Sequence, residues 1–139
     1  MLSHSREVEI EFGDCDPAGI VWFPNFFRWI DASSRHFFVE CGVPPWHDLE
    51  RRIGVIGTPL VDTKARFVKS ASYGDQLEIE SWITAWRRSS FVQEHRIMRG
   101  GELLMECTEV RVFAARRSAA EGGGIRAVAA PEEVRSRCA

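Results

Sequence analysis

The spacing of apolar residues predicts one strand and one long helix in the first third of the chain. Residues 6–12 alternate apolar side chains with three glutamates, which is typical of a half-buried strand. In residues 24–41 apolar side chains recur every three or four positions, which predicts an amphipathic helix. Pro24 suits its first turn and Gly42 its end, and a second, shorter helix is predicted over residues 46–52.

Beyond residue 55 the period changes from that of a helix to that of a strand. The pair Gly100-Gly101 separates two of the alternating runs and predicts a hairpin turn, and Pro131 predicts a short helical turn after the last run. This order predicts an α+β fold in which a curved, mainly antiparallel sheet packs on the long helix. Such a sheet leaves strand edges uncovered, which favours an oligomer. The predicted strands are residues 58–69, 77–85, 91–99, 102–115 and 125–129.

Composition limits the classes of protein and partner. A length of 139 residues predicts a single domain over residues 1–139. Hydrophobic residues make up 45% and charged residues 27%, which is typical of a soluble globular protein. The net charge of −2 gives no basic field, so we expect no nucleic-acid partner. No apolar run approaches the ~18 residues of a membrane helix, so we expect no membrane partner either.

The cysteines and histidines predict neither disulfides nor a metal site. The four cysteines are widely spaced without a CxxC pair, and the first residues lack the apolar core of a signal peptide. We therefore expect a cytoplasmic protein with reduced thiols. The four histidines show no metal-ligand spacing, and the chemistry inferred below requires no metal and no organic cofactor.

Residues 12–25 combine two acids, a thiol, two glycines and two prolines between the first strand and the long helix. They read Phe-Gly-Asp-Cys-Asp-Pro-Ala-Gly-Ile-Val-Trp-Phe-Pro-Asn. A turn that leads into a helix start presents backbone N–H groups that suit a developing negative charge. A carboxylate on the same turn can attack, or activate water at, the carbon that those groups polarise. This pattern is the minimum equipment for acyl transfer.

Asp16 is the candidate reactive group of this turn. Its carboxylate suits direct attack on an acyl carbon or deprotonation of the attacking water, and the residues leave both roles open. An aspartate before a proline in a glycine-rich turn is also a common Asx-turn or helix-cap residue. Asp14 fits a structural role, either in holding the turn or in pairing with a cation. Cys15 is interpreted as a packed thiol, since no histidine lies at a spacing that suggests activation.

Residues 12–22 resemble the signature of the 4-hydroxybenzoyl-CoA thioesterase family, which has the hotdog fold. The resemblance implies a long helix wrapped by a curved sheet, an acyl-CoA substrate and a homo-oligomer, either a dimer or a dimer of dimers. It also implies active sites at the dimer interface, so that each site draws residues from two chains. Similar segments elsewhere in the chain include Pro24-Asn25, Arg28-Trp29, Pro44-Pro45-Trp46, Gly57-Thr58-Pro59, Trp86-Arg87-Arg88 and Ser90-Phe91-Val92-Gln93.

The same resemblance implies a role for individual residues. It places the catalytic carboxylate at Asp16 and the backbone N–H that holds the thioester carbonyl at Phe23. Phe23 stands where the family has a tyrosine, and Ser89 replaces a third basic residue of the family. Two arginines remain to meet the phosphates of coenzyme A. The implied substrate-binding residues are Trp22, Thr58, Trp86, Arg87, Arg88 and Ser90.

The expected activity is hydrolysis of an aromatic acyl-CoA thioester, with 4-hydroxybenzoyl-CoA as the first substrate to test. The products would be the free carboxylic acid and coenzyme A. The change at Phe23 keeps open a thioesterase for short-chain or differently substituted acyl groups. A domain that binds acyl-CoA without catalysis is the alternative from another class.

Overall fold

The computed structural model describes residues 1–139 and contains eight strands and three α-helices. None of the three helices combines the length and the hydropathy that a membrane span requires. The strands are β1 (Ser3–Glu9), β2 (Val55–Gly57), β3 (Leu60–Phe67), β4 (Gln76–Trp86), β5 (Ser90–Arg99), β6 (Glu102–Val112), β7 (Ala114–Arg116) and β8 (Ile125–Ala127). The helices are α1 (Pro24–Glu40), α2 (Trp46–Ile53) and α3 (Glu132–Cys138).

Five strands form an antiparallel sheet in the order β1-β4-β5-β6-β3, and α1 packs on it through contacts with β1 and β4. A second sheet of three short antiparallel strands has the order β2-β7-β8. The α+β prediction is confirmed. The long helix is confirmed too, because its signals are local: Pro24 is its first residue, and Gly42 follows it with φ +81.

The first strand differs from the prediction for residues 6–12. It begins at Ser3 and ends at Glu9, because the chain then leaves the ladder: the Ile10 N–H donates to the Asp75 carbonyl at 3.0 Å. Phe12 therefore lies in a short 3-10 turn, with its side chain 76% exposed, instead of on the buried face of a strand. The alternation of apolar and polar residues does not predict this strand end, because the alternation continues to Phe12.

The predicted strand over residues 102–115 is two strands in different sheets. β6 ends at Val112, and the Phe113 N–H donates to the Ser89 carbonyl at 2.9 Å in the β4–β5 turn. The Phe113 carbonyl accepts from the Val128 N–H at 2.8 Å, and β7 then pairs with β2 and β8. Partners far away in sequence cause this break, so the local pattern does not reveal it.

The core consists of two clusters arranged along α1. Phe26 and Ile30, near the start of α1, belong to the first cluster. Phe37 and Phe38, near its end, belong to the second cluster, together with Val134 of α3. The first cluster therefore supports the loop that precedes α1, whereas the second supports α3 and the end of β4.

Candidate active site

The loop before α1 is a tight hairpin-like turn fixed by its own main chain. Residues 14–16 pair with residues 20–22, and the Asp16 N–H donates to the Ile20 carbonyl at 2.8 Å. The Gly19 N–H donates back to the Asp16 carbonyl at 2.9 Å, and Gly19 has a φ of +81. A side chain rarely adopts this conformation, so glycine is needed at the tip of the turn.

Asp14 and Asn25 tie this turn to its surroundings. The Asp14 carboxylate accepts the Glu11 N–H at 2.9 Å, and the Asp14 carbonyl accepts the buried Nδ2 of Asn25 at 2.8 Å. The Val21 N–H donates to the Ala71 carbonyl at 2.9 Å, which joins the turn to the segment before β4. The expectation that Asp14 holds the turn is confirmed by these bonds.

The Asp16 carboxylate has one fixed oxygen and one free oxygen. Oδ1 accepts the Ala18 N–H at 2.9 Å, which is an Asx turn, while Oδ2 accepts no hydrogen bond within the chain. The residue is half-buried and forms no ion pair. Asp16 can therefore serve both as an Asx-turn residue and as a reactive group, because the turn fixes the carboxylate without using its second oxygen.

Phe23 places an unpaired N–H at the start of α1. It is the N-cap residue with helical dihedral angles, and no side chain caps the helix there. The next donors are used or absent: Pro24 has no N–H, and the Asn25 N–H donates to the Trp22 carbonyl at 2.9 Å. The Phe23 N–H has no acceptor in the chain and therefore stays free at the positive end of α1.

An apolar pocket of about 270 Å³ lies beside this helix start. Its walls include Ile20 and Phe23 from the loop and Phe67 from the end of β3, and seven of its nine lining residues are apolar. The side chains of Trp22 and Phe23 are 56% and 59% exposed. Such exposure of large aromatic groups is typical of a binding surface.

Thr58 lies in a separate cavity of about 390 Å³, which it shares with Asp31 and Arg111. The Arg111 guanidinium donates to the Thr58 carbonyl and to the Asp31 carboxylate, both at 3.0 Å. Asp31 is eight residues beyond Phe23 on α1, about 12 Å along the helix axis. The structure does not bring Thr58 to Asp16 within one chain.

The turn between β4 and β5 carries the two predicted phosphate-binding arginines. It is closed by the Arg87 N–H, which donates to the Ser90 carbonyl at 2.8 Å. Arg87 and Arg88 are exposed, and the arginines that form ion pairs are others. Trp86 stacks on Phe113 at a centroid distance of 6.4 Å, so its ring also supports this turn from the second core cluster.

The predicted site residues therefore form three groups. Asp16, Trp22 and Phe23 lie near the Gln76 end of β4, and the arginine turn follows its other end. β4 has 11 residues, so the two ends are about 34 Å apart. Thr58 belongs to neither group. One chain alone does not gather the predicted residues around a single reacting carbon.

A chain of buried polar groups that leads to Thr58 was not predicted from the sequence. His95 lies 2.7 Å from both Ser81 Oγ and Glu109 Oε1, and Arg111 donates to Glu109 Oε2 at 2.7 Å. Burial alone would raise the pKa of Glu109, but the hydrogen bonds and charges of His95 and Arg111 hold it below its ordinary value. The sequence does contain a signal of this chain: Glu109 and Arg111 fall on the apolar face of a predicted strand, where buried charged residues need partners.

The remaining candidate groups show no further chemistry. Cys15 packs against the first core cluster, and its thiol lies 3.8 Å from the Glu11 carbonyl, as expected for a packed thiol. No three His, Cys, Asp or Glu side chains cluster as metal ligands would.

The fold and the site agree with one class of protein. A long helix on an antiparallel sheet, with an acid-bearing turn before the helix start, is the hotdog arrangement found in acyl-CoA thioesterases. The chain matches the family model of the thioesterase-like superfamily over residues 10–138, and it belongs to that superfamily. The predicted hotdog fold is thereby confirmed.

Individual relatives cover nearly the whole chain. The chain is 48% identical over 141 residues to 4-hydroxybenzoyl-CoA thioesterase from Pseudomonas sp. (strain CBS-3), covering 98% of this chain and 97% of that protein. A crystal structure of a 4-hydroxybenzoyl-CoA thioesterase Asp→Asn mutant, complexed with 4-hydroxybenzoyl-CoA, superimposes with a TM-score of 0.91 at 46% identity over 99% of both chains. A gentisyl-coenzyme A thioesterase superimposes with a TM-score of 0.81 at 27% identity, over 98% of this chain and 100% of that one.

Proposed function

We propose that this chain hydrolyses an aromatic acyl-CoA thioester to the carboxylic acid and coenzyme A, and that 4-hydroxybenzoyl-CoA is its substrate. The proposal rests on two groups beside the start of α1. One is the Asp16 carboxylate, which has one oxygen without a hydrogen bond, and the other is the unpaired N–H of Phe23. The 48% identity to a 4-hydroxybenzoyl-CoA thioesterase over nearly the whole chain supports this choice of substrate.

The Phe23 N–H serves as the electrophilic group. It donates a hydrogen bond to the thioester carbonyl oxygen, which makes the carbonyl carbon more electrophilic and stabilises the oxyanion formed on attack. The aligned peptide dipoles of α1 add positive potential at the same point. Only the backbone is needed, so phenylalanine in place of the family's tyrosine retains this role.

Asp16 supplies the base or the nucleophile. As a nucleophile, its carboxylate adds to the carbonyl carbon and expels the coenzyme A thiolate, and water then hydrolyses the mixed anhydride. As a general base, it takes a proton from water, the hydroxide adds to the carbon, and the thiolate leaves. Rapid acid quenching separates the two routes: acyl-labelled protein at early times supports the nucleophile, and its absence supports the base.

We infer that each site is completed by a second copy of the chain. The arginine turn is too far from Asp16 to share one thioester with it in a single chain. A two-fold axis that sets two α1 helices antiparallel would bring the loop of one chain toward the partner's opposite end. Supporting this, the edge strand β3 is exposed along most of its length and carries large apolar side chains: Leu60, Val61 and Phe67 are 47%, 61% and 48% exposed.

Asp16→Asn tests the mechanism. We expect a folded protein, because the amide oxygen still accepts the Ala18 N–H, with kcat for 4-hydroxybenzoyl-CoA lowered by about 10²–10⁴-fold. The matched control is Asp14→Asn, which makes the same chemical change two residues away at a carboxylate that only holds the turn. The measurement is release of free coenzyme A thiol under steady-state conditions. Equal activity of Asp16→Asn and Asp14→Asn would refute the role of Asp16.

A differently substituted aromatic acyl group is the second candidate. It is favoured by the loss of a phenolic hydroxyl at Phe23, which is 59% exposed at the mouth of the apolar pocket, and by the similarity to a gentisyl-coenzyme A thioesterase. A panel of 4-hydroxybenzoyl, benzoyl, dihydroxybenzoyl and short-chain acyl-CoA esters distinguishes the candidates by kcat/KM. Binding of these esters without turnover of any would instead indicate a non-catalytic acyl-CoA-binding domain.

A further inference from the structure

The short helix α3 packs beside the turn that carries Arg87 and Arg88. Val134 of α3 is buried in the second core cluster, and Trp86 packs against the same cluster. The Ala130 N–H, just before α3, donates to the Arg88 carbonyl at 2.8 Å. The core and this hydrogen bond therefore fix the position of α3 relative to the arginine turn.

Arg135 extends from α3 to the base of the same turn. Its guanidinium carbon lies over the Trp86 ring, 5.9 Å from the ring centre, which is within the range of a cation–π interaction. Trp86 is the last residue of β4, and Arg87 follows it directly. The Trp86 ring is itself held in place, since it stacks on Phe113 with an angle of 12° between the ring planes. A cation–π contact orients the guanidinium and leaves its charge unneutralised.

The charge of Arg135 has no partner in the chain. The side chain is exposed and forms no ion pair and no hydrogen bond. Other charged groups of α3 are engaged: Glu133 forms two hydrogen bonds with Arg52 of α2, and Arg137 donates to the Gly42 carbonyl at 3.2 Å. Of the two arginines of α3, only Arg135 therefore has all its donors free for a ligand.

Coenzyme A has more phosphate groups than the arginine turn has cations. It carries a diphosphate bridge and a separate phosphate on the ribose, whereas the turn has Arg87 and Arg88 followed by the uncharged Ser89. A planar guanidinium forms paired, charge-assisted hydrogen bonds with phosphate oxygens. A third guanidinium beside the turn suits the phosphate that the first two arginines leave without a partner.

We propose that Arg135 is a third phosphate-binding residue, which acts with Arg87 and Arg88 on the nucleotide end of an acyl-CoA. The inference rests on the proposed function, because that function places the phosphates at the arginine turn. The guanidinium donates hydrogen bonds to phosphate oxygens, far from the reacting carbon. Arg135 therefore contributes to the affinity for the coenzyme A part of the substrate and does not contribute to the chemical step.

The experiment compares Arg135→Ala with the unaltered chain on two thioesters of the same acyl group. One is the coenzyme A ester, and the other is the N-acetylcysteamine ester, which has the thioester but no phosphate. We expect Arg135→Ala to raise KM for the coenzyme A ester by about 3–10-fold with kcat unchanged. We expect kcat/KM for the N-acetylcysteamine ester to stay as it is in the unaltered chain. A purely structural role would change the values for both esters.

Three further measurements characterise the interaction. The rise in KM should shrink when the ionic strength is raised from about 0.05 M to about 0.5 M, since salt screens exposed charges. Arg135→Lys retains the charge without the paired geometry, so its KM should lie between those of the unaltered chain and Arg135→Ala. A 3′-dephospho-coenzyme A ester identifies the phosphate: the effect of Arg135→Ala disappears with this ester if the ribose phosphate is bound, and persists if the diphosphate is bound.

Arg137→Ala is the matched control. It removes the same charge from the same helix, at a guanidinium bound to the end of α1, and should leave KM within about twofold of the unaltered value. Three results would overturn the proposal: an unchanged KM for the coenzyme A ester in Arg135→Ala, an equal rise in KM for the N-acetylcysteamine ester, and an equal rise in Arg137→Ala.

Calorimetric titration with coenzyme A itself separates this proposal from the proposed function. It requires no turnover, and we expect the Kd of coenzyme A to rise by about 3–10-fold in Arg135→Ala. A chain that binds coenzyme A with this difference but hydrolyses neither ester would contradict the proposed function alone. A chain that hydrolyses the coenzyme A ester, with the same Kd and KM in Arg135→Ala, would contradict the role of Arg135 alone.

Discussion

Asn25 joins the two parts of the candidate active site. It lies in the first turn of α1, is 6% exposed, and donates from Nδ2 to the Asp14 carbonyl at 2.8 Å. The helix that presents the Phe23 N–H is thereby bonded to the turn that carries Asp16. A buried amide that bonds a loop main chain sets the loop position more strictly than an exposed contact does.

Asn25→Ala tests this link. We expect the free energy of unfolding to fall by about 1–2 kcal/mol, since a buried hydrogen bond is lost, and kcat to fall because Asp16 and Phe23 lose their fixed relation. Urea denaturation and steady-state hydrolysis measure the two effects. Arg28→Ala is the control: it removes the partner of Asn25 Oδ1 on an exposed side chain and should change stability by less than about 0.5 kcal/mol. Wild-type kcat in Asn25→Ala would contradict the positioning role.

At the scale of elements, three neighbouring strands of the large sheet carry a buried polar chain through the core. Ser81 of β4, His95 of β5 and Glu109 of β6 are each at most 3% exposed, and Arg111 of β6 continues the chain to the Thr58 carbonyl. Removing one partner of such a buried pair leaves an uncompensated charge, which costs more than the intact pair contributes.

Glu109→Gln leaves the Arg111 charge without its buried partner. We expect a loss of about 3 kcal/mol in the free energy of unfolding at pH 7, measured by urea denaturation. Glu106→Gln, at an exposed carboxylate paired with Arg66, should cost less than about 1 kcal/mol. Equal losses of unfolding free energy in the two variants would show that the buried ion pair contributes no more to stability than the exposed one.

The same residue predicts a pH dependence. The folded-state pKa of Glu109 lies below its unfolded value, so its contribution to stability is complete above the unfolded pKa, about 4.3. That contribution is lost as the pH falls from the unfolded pKa through the folded pKa, because in this range the unfolded state binds a proton that the folded state does not. The stability difference between the unaltered chain and Glu109→Gln should therefore narrow on acidification below about pH 4. A constant difference between pH 7 and pH 3 would contradict the depressed pKa.

At the scale of the whole molecule, the proposed site is divided between the two ends of the fold. Asp16 and Phe23 lie at one end of α1, and Arg87 and Arg88 follow the opposite end of the long strand β4. In the proposed function the acyl group binds near Asp16 and the phosphates bind at the arginine turn. The distance between these two places is the reason for proposing that they belong to different chains of a dimer.

Mixing two defective variants tests the shared site. Asp16→Asn lacks the working carboxylate, and the double variant Arg87→Ala/Arg88→Ala should have a raised KM for acyl-CoA. Refolded together in equal amounts, they should regain about a quarter of wild-type kcat/KM, since half of the dimers are mixed and each has one intact site. If both groups serve a site within one chain, mixing restores nothing. Each variant refolded alone is the control.

The sequence by itself determined the elements and groups whose signals are local. Helix α1 follows from its period, Pro24 and Gly42, and the acid-bearing turn follows from its own composition. Asp16 could be proposed from the composition of the turn, and Phe23 from the family resemblance of the same stretch, because only six residues of continuous chain separate them. Such signals depend on neighbours within a few residues, so a linear pattern contains them.

The tertiary structure alone decided where distant segments meet. The break at Phe113 and the polar chain from Ser81 to Arg111 each depend on strand register across long stretches of sequence. Only the fold also shows that the arginine turn lies far from Asp16, because the direction of β4 sets that distance. Long-range pairing is selected by burial over the whole chain, and no local pattern encodes it.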